Sequence, residues 1–204
     1  MVEADPPGHA LDELLEAALA GGVDMLQLRD KHASDEELLA AAAVFRRASD
    51  AHGALFWLND RPDLVAATGA DGVHVGQDDE PVERVRGLVG EDVLVGLSTH
   101  SPEQLATALA GNADELSAGP VYETPTKEGR PAAGLGYVRH AAAQAGERPW
   151  FAIGGIDRHT VGEVVEAGAR RIVVVRAIRD AADPRAAAAE LRAALEGSSV
   201  GSGR

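Results

Sequence analysis

The chain has 204 residues, 33 of them acidic and 19 basic, for a formal net charge of −14, with no cysteine and only 3% aromatic residues. Those values exclude disulfides, thiolate metal sites and a cysteine nucleophile. They also argue against nucleic acid and anionic membranes as partners, since both require a cationic face.

In chain order, the N-terminal segment MVEADPPGHALDELLEAALAGG lacks the basic start and uninterrupted apolar run of a secretory signal. No apolar run approaches the roughly 18 residues needed to cross a bilayer, so the cytoplasm is the expected compartment. A first helix is predicted over about 10–20. Strands are predicted over 23–28, 54–58, 71–75, 93–97, 114–118, 150–153 and 171–175. Helices are predicted over 34–49, 62–67, 80–89, 102–110, 135–145, 158–167 and 183–196. Ser34 and Ser101 stand where N-caps belong, Gln104 gives Ser101 a capping-box spacing, and Pro102 suits a first helical position. Acidic stretches such as 34–39 and 78–83 read as solvated surface, which a host with high internal salt would favour. The Gly/Ser-rich end, 197–204, is expected to be a disordered tail after one domain spanning 1–196.

Regular alternation of apolar strands and helices predicts a parallel sheet with crossover helices, buried on both faces. An open doubly wound sheet and a (β/α)8 barrel both satisfy it. No G-x-G-x-x-G follows an early strand, which weakens the dinucleotide-binding version. Polar and glycine residues instead gather just after strand ends, among them Gln27, Arg29, Lys31, Asn59, Asp60, Gln77, Asp79, Ser98, Gly154 and Gly155. Barrel active sites are built on that face, so the barrel is the favoured architecture.

Four constellations carry chemistry. In Gln27-Leu28-Arg29-Asp30-Lys31, strand alternation puts Gln27, Arg29 and Lys31 on one side, a fork and a point charge suited to phosphate. Asp60 and Asp79 follow adjacent strands and could meet over one hard cation such as Mg²⁺, which keeps waters and takes phosphate oxygens alongside. The local alternative is that Asp60 caps a helix near Pro62 and Asp79 caps one beginning at Glu80. The loop 119–130 brings Thr124, Pro125, Thr126 and Lys127, hydroxyls and an ammonium able to grip phosphate oxygens. Gly154-Gly155, and Val175-Arg176 after the last strand, fit the usual barrel phosphate site on backbone N–H groups. His74 lies inside a strand and reads as a satisfied core histidine. Ser98-Thr99-His100 lacks a G-x-S-x-G elbow, so a serine hydrolase is not favoured. Together these residues suggest a transferase that binds one metal, a diphosphate and a second phosphate.

The motifs QLRDK (27–31), LNDRPDL (58–64), GADGVHVGQDD (69–79), GLSTHS (96–101), GPVYETPTK (119–127) and AIGGI (152–156) make the chain, from about 11 to 195, resemble the thiamine-phosphate synthase family. The resemblance implies condensation of 4-amino-2-methyl-5-(diphosphooxymethyl)pyrimidine with hydroxyethylthiazole phosphate, giving thiamine phosphate and diphosphate. It implies a TIM barrel, a Mg²⁺ cofactor held by Asp60 and Asp79, and a dissociative mechanism. By the same resemblance Gln27, Leu28, Arg29, Asp30, Lys31, Asn59 and Ser98 serve the pyrimidine diphosphate. Lys127 joins them on the diphosphate, with Arg29, Lys31, Ser98 and Lys127 as the catalytic set. Thr124, Pro125 and Thr126 frame the thiazole phosphate, whose phosphate rests on amides at Gly155, Val175 and Arg176. Small-molecule substrates are the implied partners, and a homo-oligomer is allowed.

Two departures stand out. The family usually opens with a strand of the type LYLVT, whereas only MVEADPPGH precedes the first helix here. The first barrel strand is therefore short or missing, and a start farther upstream, irregular pairing by the N-terminus or a covering partner would each answer the gap. Arg176 stands where the family often has serine. A related thiazole tautomerase and a non-catalytic ligand-binding barrel are the competing readings, and the Asp60/Asp79 pair, Lys31 and the TPTK segment favour the synthase. An unrelated phosphate-binding barrel isomerase is the weaker third, since it leaves the metal pair unexplained.

Overall fold

Seven parallel strands in strict sequence order, β1 to β7, form the sheet of the computed structural model, which describes residues 1–124 and 131–197. They are β1 (Met25–Leu28), β2 (Leu55–Asn59), β3 (Gly72–Val75), β4 (Leu94–Thr99), β5 (Glu115–Ala118), β6 (Trp150–Ile153) and β7 (Ile172–Val173). α1 (Leu11–Ala20) precedes β1, and between the strands run α2 (Asp35–His52), a 3₁₀ turn (Pro62–Leu64) leading into α3 (Val65–Thr68), α4 (Val82–Val89), α5 (Pro102–Ala110), α6 (Gly134–Gln144) and α7 (Val161–Glu166). After β7 come α8 (Arg176–Arg179) and α9 (Pro184–Gly197). Sequential neighbours without exception make a curled, TIM-barrel-like sheet, as the alternation predicts. No helix among the described residues is long and apolar enough to cross a membrane.

The missing first strand has a local answer. Val2 bridges Leu28 in parallel, its N–H donating to Gln27 O at 2.9 Å and its carbonyl accepting from Arg29 N at 2.9 Å. On the other side the Met1 amino group donates to Val174 O at 3.2 Å, and Glu3 pairs with Arg179 at 2.5 Å. Two residues thus lie between β1 and β7 and satisfy edge groups that would otherwise be exposed. This is irregular pairing by the N-terminus.

Local chemistry explains the helix ends. Ser34 and Glu37 form a reciprocal capping box at α2, which runs to His52 and stops at Gly53 in the left-handed region (φ 66°). Ser101 accepts from Gln104 N at 3.3 Å, but the Gln104 side chain accepts from His100 N rather than closing a box on Ser101. The spacing was right and the reciprocal bond falls one residue early. β7 is only two residues long against the predicted five, because Val174 turns to the N-terminus and Val175 starts α8. Gly197 belongs to α9, one residue into the segment assigned to the tail, and 198–204 lie outside the described residues.

The apolar core lies between the sheet and its helices. Phe45 of α2 and Phe56 of β2 are both fully buried, with ring centroids 5.4 Å apart, and burial of each such ring contributes roughly 2–3 kcal/mol. The N-terminal ends of two strands repeat one device. Asp71, just before β3, accepts from Phe56 N and from Arg46 of α2, and Asp114, just before β5, accepts from Val95 N and from Arg86 of α4. Inside the barrel, Trp57 of β2 lies across two neighbouring strands that carry glycine where its ring passes: a Cβ on Gly72 would stand 2.6 Å from the indole, and one on Gly96 3.0 Å.

Candidate active site

The residues that alternate into the barrel interior climb from Trp57 toward Asn59 and Asp60 on β2 and its loop, and from Gly96 to Ser98 on β4. Asn59 sits beside His74 in the β2–β3 register, and Asp60 N donates to His74 O at 2.9 Å. Asp60 has φ 62°, the left-handed conformation that aspartate tolerates better than most residues. That turn carries its side chain toward Asp79. Asp79 in turn accepts from Gly76 N at 2.8 Å, which closes the loop after β3. Neither carboxylate caps a helix: the 3₁₀ turn begins from Arg61 and α4 from Pro81, both without a side-chain cap. The local alternative for both aspartates is thereby removed.

Burial and the neighbouring Asp79 carboxylate push the Asp60 carboxyl above the usual range, while Lys31 and Arg29 pull it back. Two loop carboxylates and two cations therefore meet at the C-terminal end of β1, β2 and β3. Among the described residues no group of three or more His, Cys, Asp or Glu side chains is arranged to hold a metal. The donor set is a pair of hard oxygens, which fits Mg²⁺ completed by water and substrate oxygens rather than a closed protein cage.

The rest of the 27–31 run divides by alternation. Gln27 and Arg29 are half-buried on the interior side, and Lys31 is exposed. Leu28 is buried in the core between sheet and helices, so any ligand contact it makes is through its backbone. The Asp30 carboxylate is occupied by the N–H groups of Ala4, His32 and Ala33. It shapes the loop that carries Arg29 and Lys31.

Across the barrel mouth is a cleft of about 350 Å³, lined in part by Thr124, Gly155, Val175 and Arg176. These four were expected at the second phosphate. The loop after β5 is tied to the end of β6 by Val121 N to Ile153 O (2.8 Å) and Tyr122 N to Gly154 O (3.0 Å). Gly154 and Gly155 both have positive φ, and a Cβ on either would come within 2.7 Å of Pro120 or Tyr122. Here glycine is required for close backbone approach. Arg176 and Ala177, whose N–H groups open the first turn of α8 ahead of the bonds from Ile178 N and Arg179 N to Val175 O, belong to the same cleft wall. Pro125, Thr126 and Lys127 lie outside the described residues.

Sequence reasoning missed Met1 and His100 in this cleft. Nothing local marks Met1, since its place depends on the seam of the barrel. His100 stands in GLSTHS beside Ser98 and binds Gly119 O at 2.5 Å. Below the carboxylate pair, His74 is buried with Ser98 and Glu115 as partners, as its strand position suggested.

Comparison with known proteins accords with this geometry. Residues 2–178 match the family described as thiamine monophosphate synthase. The chain is 54% identical to the thiamine-phosphate synthase of Thermus thermophilus over 201 residues, covering 97% of this chain and 96% of that one. It is also 54% identical to the enzyme of that name from Acidothermus cellulolyticus over 186 residues, 91% and 88% of the two chains. The solved thiamine phosphate pyrophosphorylase of Pyrococcus furiosus superposes with a TM-score of 0.84 at 33% identity, covering 92% of this chain and 90% of that one.

Proposed function

The chain belongs to the thiamine monophosphate synthase family, a family of transferases, and from that premise we propose the reaction it performs and the residues that carry it. It joins 4-amino-2-methyl-5-(diphosphooxymethyl)pyrimidine to hydroxyethylthiazole phosphate, with diphosphate as the leaving group. The observation that carries this reading is the meeting of Asp60 and Asp79 beside Lys31 and Arg29 at one end of the strands.

Arg29 and Lys31 bind the diphosphate oxygens and stabilise the charge that grows there as the bond to the pyrimidine methylene breaks. Lys127, which follows β5 in the sequence, adds a third cation. Asp60 and Asp79 would hold Mg²⁺, which when bound would neutralise diphosphate charge and orient the leaving group. Gln27, Asn59 and Ser98 fix the pyrimidine ring, with Leu28 and Asp30 contributing through backbone and loop shape. Thr124, Pro125 and Thr126 frame the thiazole, and the amides at Gly155, Val175 and Arg176 take its phosphate. The thiazole nitrogen then attacks the pyrimidine-methyl cation from the cleft side. No proton has to be removed from the nitrogen, so positioning and charge stabilisation account for catalysis without a dedicated general base.

The test is to incubate the purified protein with both substrates, with Mg²⁺ or with EDTA, and to assay thiamine phosphate and diphosphate. Mg²⁺-dependent formation of both in equal amounts is expected. A folded protein that makes neither overturns the reading and favours a tautomerase or a binding protein.

A further inference from the structure

His74, Gly96 and Glu115 occupy one rung across three strands, His74 pairing with Gly96 and Gly96 with Glu115. A Cβ on Gly96 would stand 2.5 Å from His74 Nδ1 and 2.9 Å from Glu115 Oε1, so the absence of a side chain there lets the two meet over β4. They do so at 3.4 Å, and on the other side His74 Nε2 lies 2.9 Å from Ser98 Oγ. Ser117 Oγ donates to the same Ser98 oxygen at 3.4 Å. All four residues are buried, none more than 7% exposed. A buried carboxylate with a single titratable partner is costly to keep, and nothing in the reaction above uses Glu115.

With Glu115 ionised and His74 neutral, hydrogen-bond chemistry gives this chain a single direction. An ionised carboxylate only accepts, so Nδ1 carries the imidazole proton. In a neutral imidazole Nε2 then only accepts, so the Ser98 hydroxyl must donate to it. Ser98, whose oxygen already accepts from Ser117, is left with one further acceptor site toward any ligand above it. We propose that Glu115 is a positioning residue: through His74 it commits the Ser98 proton inward and makes the pocket floor selective for a ring substituent that donates a hydrogen bond, an amino group rather than a carbonyl. This rests on the assignment of Ser98 to the pyrimidine subsite.

The arrangement is tested first in the substrate-free protein, labelled with ¹⁵N, by two-bond correlation of the imidazole ring, with His74 assigned by its loss in His74→Gln. A protonated Nδ1 and unprotonated Nε2 are expected; a protonated Nε2, in either the other tautomer or the imidazolium, overturns the proposal. Glu115→Leu is expected to lose the single tautomer. Its preference for the 4-amino over the 4-oxo pyrimidine diphosphate is expected to fall at least about tenfold, through KM for that substrate, with KM for the thiazole phosphate unchanged. Glu115→Gln, whose amide oxygen still accepts from Nδ1, restores both and serves if the leucine variant does not fold. Wild-type tautomer and wild-type discrimination in Glu115→Leu would overturn the role. The ring spectrum is read without turnover, so an inactive enzyme would refute the reaction assignment while leaving the tautomer result to stand or fall separately.

Discussion

The Asp79 carboxylate lies close enough to Asp60 to raise its carboxyl, although 18 residues separate the two and each closes its own loop. Without a cation this pair opposes folding: burial and Asp79 raise the Asp60 carboxyl, so the folded state disfavours its ionised form. For an acid raised in this way, stability is retained at low pH and lost as pH rises through the folded value. Asp60→Asn removes that charge and keeps a residue that accepts the left-handed backbone. In EDTA near neutral pH the variant is expected to melt above the wild type, the gap closing as pH falls toward about 4. Mg²⁺ is expected to raise the wild-type Tm but not the variant's, and turnover to drop at least about a hundredfold. Thermal melts with and without Mg²⁺ check this; a variant that melts lower in EDTA would contradict it.

Asp79→Ala removes one cation ligand and the acceptor for Gly76 N. Loss of that exposed turn bond costs about 1 kcal/mol, so circular dichroism is expected to report a folded protein. Mg²⁺-dependent product formation is expected to disappear, and full activity would take Asp79 out of the metal site.

Gly72→Ala places a methyl group 2.6 Å from the Trp57 indole, inside a ring that Gly96 confines from the next strand. Overpacking of this kind costs about 1–3 kcal/mol. Urea unfolding followed by tryptophan fluorescence is expected to show a lower midpoint with an unchanged slope. An unaltered midpoint would mean that the ring can move aside freely.

Deletion of residues 1–4 removes the Val2 bonds that flank Arg29, the Met1 bond to Val174 and the Glu3–Arg179 pair. Several partly buried hydrogen bonds at about 1 kcal/mol each predict a clear loss of Tm. Because Arg29 N–H is among the groups released, KM for the pyrimidine diphosphate is expected to rise more than KM for the thiazole phosphate. Equal changes in the two constants would show that the N-terminus supports the fold without positioning Arg29.

Arg176 has an exposed side chain at the start of α8, while its backbone belongs to the cleft wall. If the thiazole phosphate rests on amides, Arg176→Ser is expected to leave KM for that substrate within about threefold, under about 1 kcal/mol. Steady-state kinetics decides this, and a larger rise would show that the guanidinium itself binds phosphate.

Local pattern in the sequence was enough for the strand–helix alternation, the N-caps at Ser34 and Ser101 and the gathering of polar residues after strand ends, because periodicity and capping chemistry act within a few residues. The same pattern placed Gln27, Arg29 and Ser98 at strand ends, on the face where barrel sites are built. It left Asp60 and Asp79 poised between capping helices and meeting each other, and left the seam at the N-terminus with several solutions. Those choices depend on which strands become neighbours and in what register, and register couples residues many positions apart: Val2 to Leu28, Trp57 to Gly72, and His74 through Gly96 to Glu115. A glycine in a strand reads locally only as a weakness. Tertiary packing turns Gly72 into room for an indole and Gly96 into the gap through which a buried carboxylate reaches a histidine.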